Sequence, residues 1–354
     1  MLNREPILKN APASDSRVAA LLRDSVVWDN HTCLPLRPDD ATFLPQLARH
    51  KAAGFDAVTV NVGFGDMTPA EHLRMLDALR NWFAARPSEY LLIDGAEDVE
   101  RAHASGRLAV GFDIEGANAI GDQPGLIEHY RDLGVHWMLL AYNRTNRVGG
   151  GCQDEDNGLT AFGIQVIREM ERVGMQLCLS HTGHRTARAA LKVATRPVIF
   201  SHSNCAALHP HPRNIPDELI RACAATGGVV GINGVGIFLG KNDISSETYA
   251  RHVDHVAQLV GPEHVSIALD YVFDIGELEH YMRTTRHTFP PDLGYELGAR
   301  FLPPEQISEI VAILQSWGYA DADLKAVLGG NLLRLAREVW RPRQPAVANP
   351  RAQP

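Results

Sequence analysis

The sequence predicts a parallel α/β barrel, and three observations predict it. Eight short runs rich in apolar and β-branched residues recur along the chain. Each is followed by a longer stretch, several of them with apolar residues at helical spacing, the alternation expected of parallel βα units. Many of the runs are apolar almost throughout, as strands covered on both faces should be, and eight such units fit a closed (β/α)8 barrel of the TIM type.

In order, the runs are Ser25–His31, Phe55–Val62, Leu108–Gly116, Val135–Tyr142, Met175–His181, Pro197–Ser203, Gly227–Asn233 and His264–Asp270. Between them, 68–85 carries Leu73, Met75, Leu76, Leu79, Trp82 and Phe83 at roughly helical spacing, and 163–173 and 216–225 read the same way. These stripes are expected to be core faces. The uncharged window 222–240 reaches the length of a membrane span, but it holds six Gly besides Thr226 and Asn233 and reads as a helix end, a turn and a buried strand. After the eighth run comes a long segment, 271–303, then two helix candidates, 304–317 and 321–340. A long excursion on the side where barrel strands end is where a substrate pocket is expected. The expected organisation is a single barrel domain over 1–340 and a Pro-rich tail, 341–354, that is extended or disordered.

With 354 residues, 45% of them hydrophobic, the chain can bury a large core, and its formal net charge of -8 argues against a nucleic-acid partner. Five Cys, an odd number with no C-x-x-C pair, argue against a disulfide framework. The first residues contain no apolar signal core, so a soluble, cytoplasmic protein is expected, with no membrane partner. Asn30-His-Thr and Asn143-Arg-Thr match the glycosylation pattern by chance on this reading. A homo-oligomer is compatible with these features.

Polar residues at the C-terminal ends of barrel strands converge on one mouth. The first run leads into Asp29-Asn30-His31-Thr32-Cys33, the third ends in Asp113-Ile114-Glu115 and the fourth in Tyr142-Asn143. The fifth ends in Ser180-His181, the sixth in Ser201-His202-Ser203 and the eighth in Asp270. Three His, a Glu, an Asp and a Cys at one mouth suit one or two divalent metals. A single His after an apolar run is more often a hydrogen-bonded histidine than a ligand, so the weight lies in the coincidence. Cys33 alone would read as a small buried residue, but two positions from His31 it can share a side of an extended chain. Asp113 either shares the face of Glu115 or orients a ligand from behind. His184, His209 and His211 lie beyond the strand ends and read as loop residues. Gly234-Val-Gly236-Ile-Phe-Leu-Gly240 lacks dinucleotide-loop spacing and a convincing following helix, and Gly149-Gly150-Gly151 lacks the Lys-Ser/Thr of a P-loop; both read as flexible loops. No G-x-S-x-G elbow is present.

These residues resemble the membrane dipeptidase (renal dipeptidase) family of zinc peptidases, from about Val26 to Val339. The resemblance rests on the Asp-x-His of the first run, Asp113-Ile-Glu115-Gly, Leu179-Ser180-His181, Phe200-Ser201-His202-Ser203, Arg213-Asn214-Ile215-Pro216-Asp217, Asp270, and Gly329-Gly330-Asn331-Leu332-Leu333-Arg334. It implies a small dipeptide-like substrate and two zinc ions, the first on His31, the second on His181 and His202, with Glu115 bridging both and a bridging water as nucleophile. Arg213 would hold the substrate carboxylate, and Asp270 would handle protons. Two positions depart from the family pattern. Cys33 stands where D-x-H-x-D has its second Asp, and a thiolate is also a good zinc ligand. Tyr142, beside Asn143 at the substrate, stands where many members have a His, and a phenol can also donate to an oxyanion. The alternatives are another metal-dependent amidohydrolase acting on N-acyl amino acids or small amides, a one-metal enzyme in which Cys33 does not bind, and a non-catalytic carboxylate binder.

Overall fold

The structure is a computed structural model that describes residues 15–341, so all but the first residue of the Pro-rich tail lies outside the described residues. Its strands are β1 (Trp28–Cys33), β2 (Ala57–Phe64), β3 (Tyr90–Leu92), β4 (Leu108–Glu115), β5 (Val135–Leu139), β6 (Gln176–Cys178), β7 (Ile199–Phe200), β8 (Val229–Asn233), β9 (Val265–Ala268) and β10 (Tyr271–Val272). They form one parallel sheet in the order β10-β1-β2-β4-β5-β6-β7-β8-β9, with β3 paired to the start of β4. Only Leu269 and Asp270 separate β9 from β10, and β10 pairs with β1 at Thr32 and Tyr271, so the ring closes. Two further bonds tie this seam: Leu269 N–H donates to Asp29 Oδ1 (2.8 Å) and Asp270 N–H to the His31 carbonyl (2.9 Å). The expected TIM barrel is present, and each of the eight runs overlaps one of its strands, β1 and β2 extending two residues past the ends of theirs.

Two short strands were not anticipated. β3 has three residues and β10 two, lengths over which alternation cannot be read. The fifth and sixth runs pair over fewer residues than expected because the chain leaves the ladder before its polar ends; His181 already has φ 59°.

Alternation sorts the strand residues into two layers. On β4, Val110, Phe112 and Ile114 face the helices, while Ala109, Gly111, Asp113 and Glu115 share the other face. On β2, Val58, Val60 and Val62 join a buried cluster with Met75, Leu76, Leu79 and Phe83 of the expected helix, Pro69–Ala84. β1 breaks the alternation. Asp29 pairs with Val58 but Thr32 with Val60, so three steps on β1 match two on β2, a bulge that re-aims the residues after it. The C-terminal helix, Asn331–Val339, sets Leu332, Leu333 and Ala336 against Trp28, Ala57 and Ala109 and closes the opposite end of the barrel. Asp321–Trp340 is thus not one regular helix: a π-turn at Ala326–Gly330 interrupts it. There a Cβ on Gly329 would lie 2.5 Å from the Val26 carbonyl oxygen, so only glycine lets the two backbones approach.

Both glycine motifs read as flexible loops are packed instead. Gly236–Leu239 forms a turn of helix, and a Cβ on Gly236 would sit 2.6 Å from Asn242 Oδ1. A Cβ on Gly151 would meet the Asn143 carbonyl at 2.3 Å, and one on Gly150 would meet Asp156 Oδ1 at 2.3 Å. Close backbone contact, which composition does not reveal, explains these glycines. Among the described residues no helix is long and apolar enough to cross a membrane.

Candidate metal centre

The strand ends deliver His31, Cys33, Glu115, His181, His202 and Asp270 to one place. His202 Nε2 and His181 Nε2 lie 3.0 and 3.2 Å from Glu115 Oε1 and 3.1 Å from each other. His31 Nε2 lies 3.7 Å from Glu115 Oε2, 3.4 Å from Asp270 Oδ1 and 3.5 Å from Cys33 Sγ. Cys33 Sγ is itself 3.6 Å from Asp270 Oδ1. Two overlapping donor sets result, His31 with Glu115 and His202, and His31 with Cys33 and Asp270.

Groups behind the cluster orient it. Asp113 Oδ2 lies 3.1 Å from His31 Nδ1, and its other oxygen accepts from Asn61 Nδ2 at 2.9 Å, so Asp113 supports His31 from behind. Asn143 donates its amide to the Thr288 carbonyl and presents Oδ1 to His181 Nδ1 at 2.7 Å. His181 Nδ1 therefore carries the proton, and the Nε2 lone pair faces Glu115. His202 Nδ1 meets Ser201 Oγ at 2.7 Å. Asn233 Nδ2 donates to Asp270 Oδ2 at 2.8 Å. Asn143, His181 and Asp270 are three of the five non-glycine residues with positive φ among the described residues, at 53°, 59° and 52°. Such left-handed backbone is uncommon outside glycine and concentrates at functional sites.

Burial sets the charge states. It pushes the pKa of His181 and of His202 well down, with Arg213 and His31 adding repulsion, so both imidazoles are neutral, the form that ligates metals. Burial also opposes a charge on His31, but Asp113, Cys33 and Glu115 outweigh it and raise its pKa. Burial pushes Glu115 up to about 8, with His31 opposing the shift and Asp270 and Asp113 adding to it. Burial raises the Cys33 thiol and the Tyr142 phenol as well.

The donor set fits a divalent cation. Glu115 Oε1 is buried and has no hydrogen-bond partner, although two imidazole nitrogens stand close to it. A buried carboxylate oxygen in that position is costly unless a cation or a donor satisfies it. Neutral imidazole, carboxylate and thiolate are zinc donors, the Cys33 thiol losing its proton when it binds, and their mutual spacing allows a shared ion.

The remaining expected residues take different places. Tyr142 stacks on His181 with ring centroids 4.2 Å apart and, with Asn143, lines a cavity of about 270 Å³ above the cluster. Arg213 is buried outside that lining. Its Nη1 donates to Ser203 Oγ (3.0 Å) and its Nη2 to the His202 carbonyl (2.6 Å), while Nε has no partner. His184 and His211 bond to the carbonyls of Asn214 and Leu293, away from the cluster; His211 lies in a loop as expected, whereas His184 opens the helix His184–Val193 rather than a loop. Sequence reasoning passed over Asn61 and Asn233. Both sit in the second and seventh runs, whose polar residues were the available signal.

A closed parallel barrel with histidines and carboxylates at the carboxyl ends of its strands defines a protein of the metal-dependent hydrolase type. The chain belongs to the membrane dipeptidase family (peptidase family M19), whose family model matches residues 16–286. Membership implies bound metal ions. A dipeptidase from Clonostachys rogersoniana, verJ, is 31% identical over 247 residues, 69% of this chain and 58% of that protein. An uncharacterized dipeptidase from Schizosaccharomyces pombe is 32% identical over 210 residues, 56% of this chain and 50% of that one. The matched stretch thus spans little more than half the length of these two relatives. An uncharacterized protein of Klebsiella pneumoniae, encoded 5' of pqqA, is 29% identical over 280 residues, 76% of this chain and 96% of its own. Among solved structures, an amidohydrolase from Pseudomonas aeruginosa superposes with TM-score 0.81 at 26% identity, covering 91% of this chain and 99% of that one. A metallopeptidase from Rhodobacter sphaeroides shares the fold, with TM-score 0.72 at 19% identity over 90% of this chain and 100% of its own.

Proposed function

We propose that the protein is a zinc-dependent dipeptidase that hydrolyses the amide bond of a dipeptide or similar small substrate with a free carboxylate. The observation that carries this reading is the buried, partnerless Glu115 oxygen between two neutral imidazoles at the barrel mouth. His31, Cys33 and Glu115 would hold one ion, and Glu115, His181 and His202 a second. When bound, zinc supplies an activated water and polarises the scissile carbonyl.

The chain's own residues complete the chemistry. Asp270, held through Oδ2 by Asn233 and facing His31 and Cys33 with Oδ1, takes a proton from the nucleophile and delivers it to the leaving amine. Tyr142 stays protonated because burial raises its pKa, so its O–H remains a donor for the developing oxyanion. Asn143 keeps His181 in one tautomer and stands beside the substrate. Arg213 would take the substrate carboxylate after a side-chain shift into the cavity, because it now bonds to Ser203 Oγ and the His202 carbonyl outside the lining and keeps only Nε without a partner. The cavity lies over the cluster, with Cys33, Glu115, His181 and Asp270 in its lining, where a small substrate would meet the bound metal. The five free thiols suit a reducing compartment, consistent with a cytoplasmic enzyme.

Metal analysis of the purified protein, followed by assays on dipeptides and N-acyl amino acids with added zinc, tests the reading. Two zinc ions per chain and dipeptide hydrolysis are expected, and Glu115→Gln should lose both. A chain that binds no zinc and hydrolyses no amide overturns it.

A further inference from the structure

The cavity has two chemically distinct parts, and the proposed reaction uses one of them. Its floor is the polar cluster. Its wall is apolar and includes Phe238, Leu278, Tyr281, Met282, Phe289 and Phe301. All of these but Phe238 come from the excursion after β9, which contributes Asp270 alone to the cluster. The wall is built in advance of any ligand. Met282 and Phe289 are buried, and Phe289 packs edge-on against Tyr281 and Tyr295 with centroids 5.7 and 5.2 Å apart. Among the lining residues there is no Lys or Arg. The charged side chains beyond the floor are Asp274 and Glu277, which share Arg37 at 3.0 and 2.9 Å.

Resting on the amide-hydrolase reading of the same site, we infer that the substrate carries a bulky apolar side chain, aromatic or branched aliphatic, that seats against this wall. A small dipeptide leaves the wall wet, and an acidic side chain meets Asp274 and Glu277 with no cation of the lining to receive it. A phenyl or isobutyl group releases that water and fills preformed apolar space. The specificity-determining residues are therefore on the excursion, apart from the groups that do the chemistry.

The test uses the zinc-loaded enzyme and four dipeptides, Ala-Ala, Ala-Asp, Ala-Phe and Phe-Ala. The kcat/KM of the better Phe dipeptide should exceed that of Ala-Ala by at least about 10-fold, with Ala-Asp the poorest substrate. Phe289→Ala and Leu278→Gln should each lower the Phe-to-Ala ratio by about threefold or more. Leu278 lies half-buried on the helix Ile275–Thr284, so its variant decides if Phe289→Ala does not fold. Equal kcat/KM for the Phe and Ala dipeptides, or an unchanged ratio in Leu278→Gln, overturns the inference while leaving the dipeptidase reading intact. If no dipeptide is cleaved, that reading falls, and calorimetric binding of Ala-Phe and Ala-Ala to the zinc-loaded protein still decides. Tighter binding of Ala-Phe upholds the apolar subsite, and equal binding overturns it.

Discussion

Cys33 stands within contact distance of both His31 and Asp270, and burial keeps its thiol protonated until a cation arrives. A metal there would displace the thiol proton. Cys33→Ala should lower bound zinc from two ions towards one, whereas Cys33→Asp should keep both, as measured by metal content after dialysis. Unchanged stoichiometry and affinity in Cys33→Ala would reduce the sulfur to a packing group. Arg213 gives a second prediction at this scale. Arg213→Ala should weaken free-acid dipeptides by roughly 2–5 kcal/mol relative to their amides, because a buried charge-assisted pair is lost. Equal losses for acid and amide substrates would remove it from the carboxylate. Asn143 acts through His181, so Asn143→Leu should cost about 10- to 100-fold in zinc affinity by freeing the imidazole to change tautomer. Rescue by Asn143→Asp, which restores the acceptor, separates this from a general loss of packing.

Among the elements, the helix Pro69–Ala84 shows how local sequence sets a boundary. Thr68 accepts from the Glu71 N–H, and Glu71 returns to the Thr68 N–H at 2.7 Å, a complete capping box just before Pro69. Thr68→Ala should cost about 1 kcal/mol in chemical denaturation, with metal content unchanged. Loss of zinc along with stability would mean that this helix also orders the site. The helix stripe was legible because one face of Met75, Leu76, Leu79 and Phe83 is enough to specify it. The β1 bulge was not, because the shift between Asp29 and Thr32 exists only relative to β2.

At the scale of the whole molecule, His252 links stability to pH away from the metal cluster. Its Nδ1 accepts from the Cys205 N–H and its Nε2–H donates to the Leu239 carbonyl, both at 3.1 Å, so a proton on Nδ1 would face a donor. Burial is the largest cause of its pKa falling to about 4. The unfolded chain binds that proton near pH 6.5. The folded state therefore holds this contribution above about pH 6.5 and loses it as pH falls towards about 4, up to roughly 3 kcal/mol. His252→Gln should flatten the decline of unfolding free energy over that window relative to the parent. Parallel pH profiles for the two proteins would show that His252 is not responsible.

The sequence by itself determined the eight barrel strands, the main helix stripes and the positions of His31, Glu115, His181, His202 and Asp270 at strand ends. Strand alternation and burial are local patterns, and a barrel converts strand ends into one mouth without further information. Tertiary structure alone decided which groups support that cluster. Asp113 behind His31, Asn143 on His181 and Asn233 on Asp270 pair residues far apart in the chain. It also decided that Arg213 lies outside the cavity lining, and that the triple glycine packs against Asn143 and Asp156. These are contacts between segments, whose partners no local spacing encodes.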